Sequence, residues 1–505
     1  MRPALLLAAL TALPAGFGVT PARAADGTVT STTVVEAHAN NENDKAGDDD
    51  YGVLLERLNV GVTAGDVSTT ARLDTDLFLN RPDAGFQQNV RLERMTVTWH
   101  LADVTLDGGD FYQQLGRGIV LSVRKLNEAG LDVSLQGARA AYQSEAHALT
   151  LFAGQTNPAN TDPVNQRYVE DPRDLLAGAN YELAPFGGLR VAVFGLYNQP
   201  TERVLDDLDY SLSAGTSVEV ASLADWLNVY LEADVQHRML AGAANDGSAA
   251  YVNADVHLGD LGILAEALLL HAFEERGSRN TALGSRFSYN QPPTLERIDQ
   301  EVSNNRDVTG ARARLEYLLL DAVLVHANAM YRVNDMGTGA ELHQVHGYTG
   351  LELAYDEGLS RIAVAAGARD ETRGALDTTR KPLRAMLHAD VDVLHNLGGT
   401  NALHLSAACQ AWEFEGRRFD RGEVLLSVER GGLGSLTFDF GYDTQNPSPS
   451  VRDIFYAGIG TWTFADGFEL RATVGTQRGG IKCVAGVCRE FPAFAGARAE
   501  LVSHF

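Results

Sequence analysis

The chain has 505 residues and a formal net charge of -25, with 66 acidic residues against 41 Lys and Arg. This balance argues against a nucleic-acid partner, because contacts with phosphates require clustered Lys and Arg. After the N-terminal segment no window of roughly 18 uncharged apolar residues occurs, which excludes a bundle of membrane-spanning helices. The 50 glycines, the 15 prolines and the uniform composition favour a single all-β domain.

Residues 1–24 have the three parts of a secretory signal peptide. Arg2 precedes an apolar core from Leu5 to Leu13, and Ala22-Arg23-Ala24 offers an A-x-A cleavage site. We therefore expect the mature chain to be residues 25–505. Removing the two positive charges of Arg2 and Arg23 changes its formal net charge from -25 to -27.

The stretch from Asn40 to Asp50 is an acidic loop that follows the first candidate strand. Its oxygen donors could bind calcium, but the D-x-[DN]-x-[DN]-G spacing of a calcium loop is absent. We interpret it as a solvated external loop and expect neither a metal nor a cofactor.

Residues 105–125 decide the number of strands. Counted as two strands they give 25 in total, and they put the long loop before Val90 on the rim where short turns are expected. Counted as one long strand with a kink at Gly116 and Gly118, they give 24. Bacterial single-chain barrels have even strand numbers. We therefore predict about 24 strands, within a range of 22–26.

Two motifs resemble a known group of proteins. They are GDFYQQLGRG at 109–118, followed by Ile119 to Lys125, and RYVEDPRDL at 167–175. Both are similar to runs in a family of large, uncharacterised outer-membrane barrel proteins, and the match covers less than a fifth of the chain. The resemblance implies a barrel in the outer membrane, and it brings no known activity or catalytic residues.

Apolar and polar residues alternate in segments from one end of the chain to the other. Clear examples are residues 250–258, 323–332 and 383–393. This period of two predicts strands with one apolar and one polar face. One such segment is weak evidence for a transmembrane barrel, but a long series is strong evidence.

Short and long connections alternate between these segments. Tight turns are expected at 320–321, 356–359, 395–400, 430–434 and 465–467. Longer polar stretches lie between them, at 157–175, 199–207, 239–247, 276–308, 335–340, 371–381, 415–420, 445–450 and 478–490. Transmembrane barrels have short periplasmic turns and longer external loops. The sequence therefore predicts an antiparallel up-and-down β-barrel in the outer membrane of a Gram-negative bacterium, with residues 25–505 as one domain.

The alternation also predicts which charged and histidine side chains face the lumen. The lumen-lining candidates are Arg312, Arg314, Glu316, His326, Arg332, Arg384, His388, Asp390, Asp392, Glu469, Arg471, Arg498 and Glu500. Burying unpaired ions costs several kcal/mol each, so this interior must be wet or heavily paired. A barrel of about 24 strands is also too wide for its own side chains to fill.

Two elements could occupy the lumen, an N-terminal plug or a long loop that folds inward. An N-terminal plug like that of TonB-dependent transporters is not expected, because few residues precede the first candidate strand at Thr28. We expect long extracellular loops, notably 157–175 and 276–308. The alternative for 276–308 is that it folds inward as a constriction. Its residues Leu295, Ile298 and Val302 have helical spacing.

The last segment contains the cysteine pair and the chain end. Cys483 and Cys488 are expected to form a hairpin disulfide in an oxidising compartment, whereas Cys409 is expected to face lipid. Zinc would need two more ligands, and none is adjacent. The final strand alternates and ends in Phe505, which resembles the signal read by the barrel-insertion machinery of outer-membrane proteins.

No catalytic motif is present, since neither G-x-S-x-G nor H-E-x-x-H occurs, and we do not expect an enzyme. The preferred hypothesis is a porin-like channel for small hydrophilic solutes or ions. The alternative is a structural or secretion-associated scaffold that binds a lipoprotein or export partner in or on its lumen. The remaining expected contacts are with outer-membrane lipid and the insertion machinery.

Overall fold

The computed structural model describes residues 25–505 except for residues 46, 48, 202–207, 281–284, 298–306, 375–382, 447 and 485–486. The predicted signal peptide in residues 1–24 lies outside the described residues. Within the described part of the chain, no helix is long and apolar enough to span a membrane.

Twenty-four antiparallel strands form one closed barrel. In chain order, strands β1 to β24 are Asp26–His38, Gly52–Ala64, Val67–Leu79, Asn89–Leu101, Val104–Phe111, Leu131–Gln143, His147–Pro158, Leu175–Phe186, Leu189–Gln199, Leu208–Val220, Leu227–Leu240, Ala243–Leu258, Leu261–His271, Val308–Leu320, Val323–Asn334, Leu342–Tyr355, Ser360–Arg373, Arg384–Gly398, Asn401–Phe414, Arg417–Arg430, Gly434–Asp443, Ile454–Ala465, Phe468–Gln477 and Phe494–His504.

Each of these strands pairs with the next one along the chain. The last strand β24 also pairs with β1, in a register that runs from Thr30↔His504 to His38↔Gly496, and this pairing closes the barrel. The predicted fold class and the predicted number of strands are both confirmed.

The alternation of the sequence appears in the burial of the strands. Along β11, Tyr230, Glu232 and Asp234 are buried inside, while Leu231 and Val235 on the other face are 43% and 62% exposed. A large exposed apolar side chain at every second position gives the barrel an apolar exterior. Such an exterior is typical of barrels that are surrounded by lipid.

The connections differ between the two ends of the barrel. At one end, here the turn end, most turns are short, and the chain enters and leaves the barrel there. At the other, the loop end, the predicted long connections at 239–247 and 415–420 are wrong. They are two-residue turns, Ala241-Gly242 and Glu415-Gly416, and all four residues have positive φ. Polar residues continue these strands past the apolar band and give them the composition of a loop.

The prediction of one long kinked strand over residues 105–125 is also wrong, although the total of 24 is right. The strand β5 ends at Phe111 and pairs directly with β6, from Val104↔Tyr142 to Phe111↔Leu135. Residues 112–130, here the inner segment, leave the wall between them and fold into the lumen. The strand turns at Gly109, where φ is 107° and a side chain would meet the carbonyl of Met95 at 2.0 Å.

The inner segment contains only short elements. They are the strands Gln113–Leu115, Leu121–Val123 and Lys125–Leu126 and the 3-10 turn Asn127–Ala129. The alternation of residues 121–125 was a genuine strand signal, but this strand pairs with Gln113–Leu115 and not with the wall.

The connection between β13 and β14 is residues 272–307, here the long loop. In its described part it also folds inward, in place of the extracellular loop that we expected, because its apolar side chains pack against the inner segment. Its hairpin is Arg276–Asn280 paired with Ser285–Ser288. Phe273, Tyr289 and Leu295 are at most 2% exposed and pack in one apolar cluster with the inner segment. The helical spacing predicted from Leu295 is not realised at residues 294–297, and the rest of that stretch lies outside the described residues.

Candidate functional site: a lumen filled on one side

The inner segment and the long loop fill only part of the barrel. We define the filled sector as the loop-end half of the lumen beside β6–β18. Here the inward-facing Gln236, Arg332 and Gln344 are at most 2% exposed, because the two inner elements cover them. Buried polar groups of this kind need partners inside the protein.

The first anchor of the long loop is Glu275, which is fully buried. Its carboxylate accepts hydrogen bonds from Ser211 Oγ at 2.7 Å, Gln236 Nε2 at 2.6 Å and Asn198 Nδ2 at 3.1 Å, and also from Ser213. Burial raises the pKa of this carboxyl, against the lowering effect of the four donors. The wall strands β9, β10 and β11 therefore hold the start of the loop through one acidic side chain.

A second anchor connects the long loop to the segment before β8. Asp174 accepts hydrogen bonds from Tyr289 Oη at 2.7 Å and from the Ser278 backbone N–H at 2.7 Å. All three residues are at most 1% exposed. Burial raises the pKa of the Tyr289 hydroxyl, and the neighbouring Asp174 charge raises it further, so the phenol stays protonated as a donor.

The third anchor is Glu296, near the end of the described part of the loop. Its carboxylate lies 2.5 Å from His346 Nδ1 and accepts a hydrogen bond of 2.6 Å from Gln344 Nε2, and Arg369 is 3.9 Å away. Burial alone would raise the pKa of Glu296, but the His346 hydrogen bond and the Arg369 charge outweigh it and lower the pKa. The loop is thus fixed to β16 and β17.

A chain of polar contacts extends from this anchor along the inner face of the wall, from β16 to β18. His346 Nε2 lies 3.0 Å from His388 Nε2, and His388 Nδ1 lies 3.3 Å from the Asp390 carboxylate. Asp390 in turn accepts a hydrogen bond of 2.6 Å from Arg297 of the long loop. Only one proton fits between two nitrogens in a hydrogen bond, so at most one of the two Nε2 atoms is protonated in this arrangement.

The predicted lumen-lining residues lie on the inward face, most of them in ion pairs. Arg312 lies 3.3 Å from Glu266, Arg314 2.6 Å from Glu316, and Arg471 2.6 Å from Glu469. Asp392 is hydrogen-bonded to Arg361 and His404, and Arg498 is hydrogen-bonded to Glu36. Arg384 lies over the Trp412 ring, and His326 contacts the Tyr348 ring. Arg332 is buried under the long loop, and Glu500 stands opposite Arg471.

Beside β19–β24 the lumen is different, and we call this part the open sector. Inward-facing charged side chains remain accessible there: Arg471 is 54% exposed, Arg498 43% and Glu429 42%. Glu423, which also faces inward, is exposed as well. The lumen therefore contains a filled sector, confined to the loop end beside β6–β18, and accessible charged side chains outside it, including Glu316 and Arg361 near the turn end.

Sequence reasoning missed the residues that fix the inner elements. Glu275, Glu296 and Arg297 lie in a loop, where no strand alternation reveals an inward side chain. The signal that was available is composition, because the long loop carries Phe273, Phe287, Tyr289 and Leu295, which an exposed loop seldom needs. The run from Ile119 to Val123 in the inner segment is equally apolar.

The cysteines lie at two places. Cys483 and Cys488 stand directly opposite each other in the hairpin Gly480–Val484 and Val487–Phe491, and Cys488 is disulfide-bonded. Cys409 is free and exposed. Among the residues that the structure describes, no group of three or more His, Cys, Asp or Glu side chains is arranged to hold a metal ion.

No protein-family model and no curated protein matches the chain. The siderophore receptor PirA from Pseudomonas aeruginosa is 8% identical, with a TM-score of 0.48 over 95% of this chain and 80% of PirA. The outer membrane protein OpdK from the same organism is 12% identical, with a TM-score of 0.39 over 70% of this chain and 95% of OpdK. OccAB2 from Acinetobacter baumannii is 11% identical, with a TM-score of 0.40 over 73% and 96% of the two chains. These identities are too low to assign the chain to a family.

Proposed function

We propose that the chain is an outer-membrane, porin-like channel that conducts small hydrophilic solutes or ions through the open sector of its lumen. The observation that carries this proposal is the contrast between the two sectors. Buried side chains in the filled sector are matched by packed loops, whereas Arg471, Arg498 and Glu429 remain accessible to water. Charged walls around an aqueous path determine the ion preference of a pore.

The outer face supports a location in a lipid bilayer. Leu436 and Phe438 on β21 and Tyr456 on β22 are 54% to 68% exposed, although they are large and apolar or aromatic. Near the turn end, Trp99, Trp462 and Phe464 are also exposed, as in the aromatic girdles of membrane barrels. In water, this apolar surface would be exposed to solvent, which is unfavourable.

The filled sector argues for a restricted passage and against the scaffold alternative. The inner segment and the long loop already occupy the loop-end half of the wall surface from β6 to β18, so a partner has no access to that half. The open sector is lined by arginines and carboxylates in alternation, such as Arg471 beside Glu469 and Glu500. Small charged or polar solutes fit such a path better than a protein segment does.

Single-channel recording in a planar bilayer tests this function. We expect steady conductance and a reversal potential in a salt gradient. Glu423→Gln removes one accessible inward carboxylate and is expected to shift the ion preference towards anions, whereas Asp370→Asn removes an exposed charge on the outward face and should leave it unchanged. A silent bilayer with correctly folded protein would contradict the channel and favour a scaffold.

We further propose that Phe505 is the assembly signal for the barrel-insertion machinery. Its backbone N–H donates a 2.8 Å hydrogen bond to Val29, and its ring, 70% exposed, contacts Phe468 at 5.5 Å. Replacing Phe505 with Lys should reduce the amount of folded barrel in membranes without reducing synthesis, because the terminal aromatic is lost. Heat-modifiable gel mobility measures this. His504→Gln, one position earlier, is the control and should assemble normally; equal loss in both would argue against a specific role of Phe505.

A further inference from the structure

A cavity of about 650 Å³ lies at the loop end, above the open sector. Its lining comes from described residues within 38–51, 163–167 and 477–498 together with Phe86, and the ends of β23 and β24 form its floor. We call it the mouth cavity and define it by Tyr51, Arg167, Arg478, Arg489, Phe494 and Arg498, which line it.

The lining of the mouth cavity is cationic, in contrast to the acidic chain as a whole. Lys45 and four arginines line it, and Glu490 is its one lining carboxylate among the described residues. The arginines are held from behind by acids that do not line the cavity. Arg498 pairs with Glu36 at 2.6 Å, Arg478 with Asp443 at 3.5 Å, Arg489 with Asp162 at 2.5 Å and Arg167 with Asp83 at 2.9 Å.

Two of these guanidinium groups have donors to spare. Arg498 bonds Glu36 through Nε, and Arg478 bonds Asp443 through Nη1. In the part of the chain that the structure describes, their other nitrogens make no hydrogen bond to protein. The side chains are 43% and 24% exposed. A guanidinium presents five N–H donors in a rigid fork, so each retains enough to bind an oxyanion.

Aromatic rings form the apolar side of the same cavity. The guanidinium carbon of Arg498 lies 5.5 Å from the centre of the Phe494 ring. The Phe494 ring meets His38 edge-on at 5.3 Å, and His38 stacks on Tyr51 at 4.2 Å with an angle of 8° between the ring planes. Half-buried Phe491 lies on the cavity wall as well. A flat apolar group could pack here while its charged end reaches the arginines.

We infer that the mouth cavity binds a small organic anion, a carboxylate with a flat apolar part, at the external entrance of the open sector. Arginine forks match the geometry of a carboxylate, and the rings supply area for the apolar part. The inference rests on the proposed function in one respect only: the anion bound in the mouth cavity would go on to enter the channel. Binding itself does not depend on conduction.

Isothermal titration of the folded, full-length barrel in detergent micelles tests the site, with benzoate, uncharged benzamide and acetate as probes. We expect benzoate to bind and the other two to bind at least about tenfold more weakly, because each lacks one of the two recognised parts. Arg478→Gln with Arg498→Gln should weaken benzoate binding at least about tenfold. Arg471→Gln, which removes an accessible arginine near the turn end, should leave it unchanged.

Several results would overturn the inference. Benzoate binding that survives the double variant, or equal binding of benzamide, would remove the role of the arginines, and equal affinity for acetate would remove that of the rings. If the double variant does not fold, Arg478→Gln alone is tested, because the one hydrogen bond that Arg478 makes to the described part of the protein is long, at 3.5 Å. Benzoate binding to a barrel that is silent in a bilayer would refute the channel and leave the site intact. Conduction without benzoate binding would do the reverse.

Discussion

Barrels that carry Glu275→Ala and Glu296→Ala together are expected to conduct at least about twice as much current as the wild-type barrel. The substitutions should release the long loop, and a lumen of this strand number is much wider than its open sector. The two carboxylates hold opposite ends of the described long loop. Glu275 binds four side chains of β9–β11, and Glu296 binds Gln344 and His346 of β16. Their loss removes these hydrogen bonds, at about 1–3 kcal/mol for each buried donor that is left without a partner.

Glu275→Gln with Glu296→Gln provides the matched control. A glutamine keeps one oxygen that accepts hydrogen bonds from the same donors. At Glu275 the exchange should be mild, since burial already raises the pKa of that carboxyl and disfavours its charge. Single-channel conductance of the amide variant should therefore lie between wild type and the alanine variant. Unchanged conductance in a folded alanine variant would mean that the Asp174 anchor and the apolar packing are enough to hold the loop.

A charge on the outer face is expected to have the largest effect on stability. Leu426 lies on β20, faces outward and is 43% exposed. If this face contacts lipid, Leu426→Arg should reduce the free energy of unfolding by about 2–4 kcal/mol near the bilayer midplane. Urea titration of barrels folded into phospholipid vesicles, followed by tryptophan fluorescence, measures the difference.

The control for this change is Glu423→Arg on the same strand. Glu423 faces inward in the open sector and is exposed to water, so an arginine there remains solvated. It should shift the ion preference of the channel while changing stability little. Equal destabilisation by both substitutions would mean that the assignment of inner and outer faces on β20 is wrong.

The strands and their two faces were predictable from the sequence because both depend on a local period of two. Residues such as Arg312 and Arg471 alternate with apolar neighbours, so their inward position follows from parity alone. The number of strands was also predictable, because residues 105–125 contribute one strand to the wall, as the count of 24 assumed, although that strand, β5, ends at Phe111.

The inner elements could not be predicted in the same way. The segment 121–125 alternates like a wall strand, and nothing local states which strand it pairs with. The long loop is held by contacts between residues far apart in the chain, such as Ser211 with Glu275 and Glu296 with His346. Such pairings depend on the tertiary structure, and periodicity carries no information about them. Apolar loop composition was the one available hint.

The pairing of β1 with β24 also determines how the barrel can fold. Thr30 and His504 contact each other across 474 positions of the chain, so this pairing is the most non-local one in the wall. Contacts of such sequence separation are slow to form, because the entropy of closing the loop is lost before the contact stabilises anything. Until the last strand is in position, both β1 and β23 expose unpaired edges that can pair with other chains. A chain truncated before β24 would therefore be an open sheet prone to aggregation and not a narrower barrel.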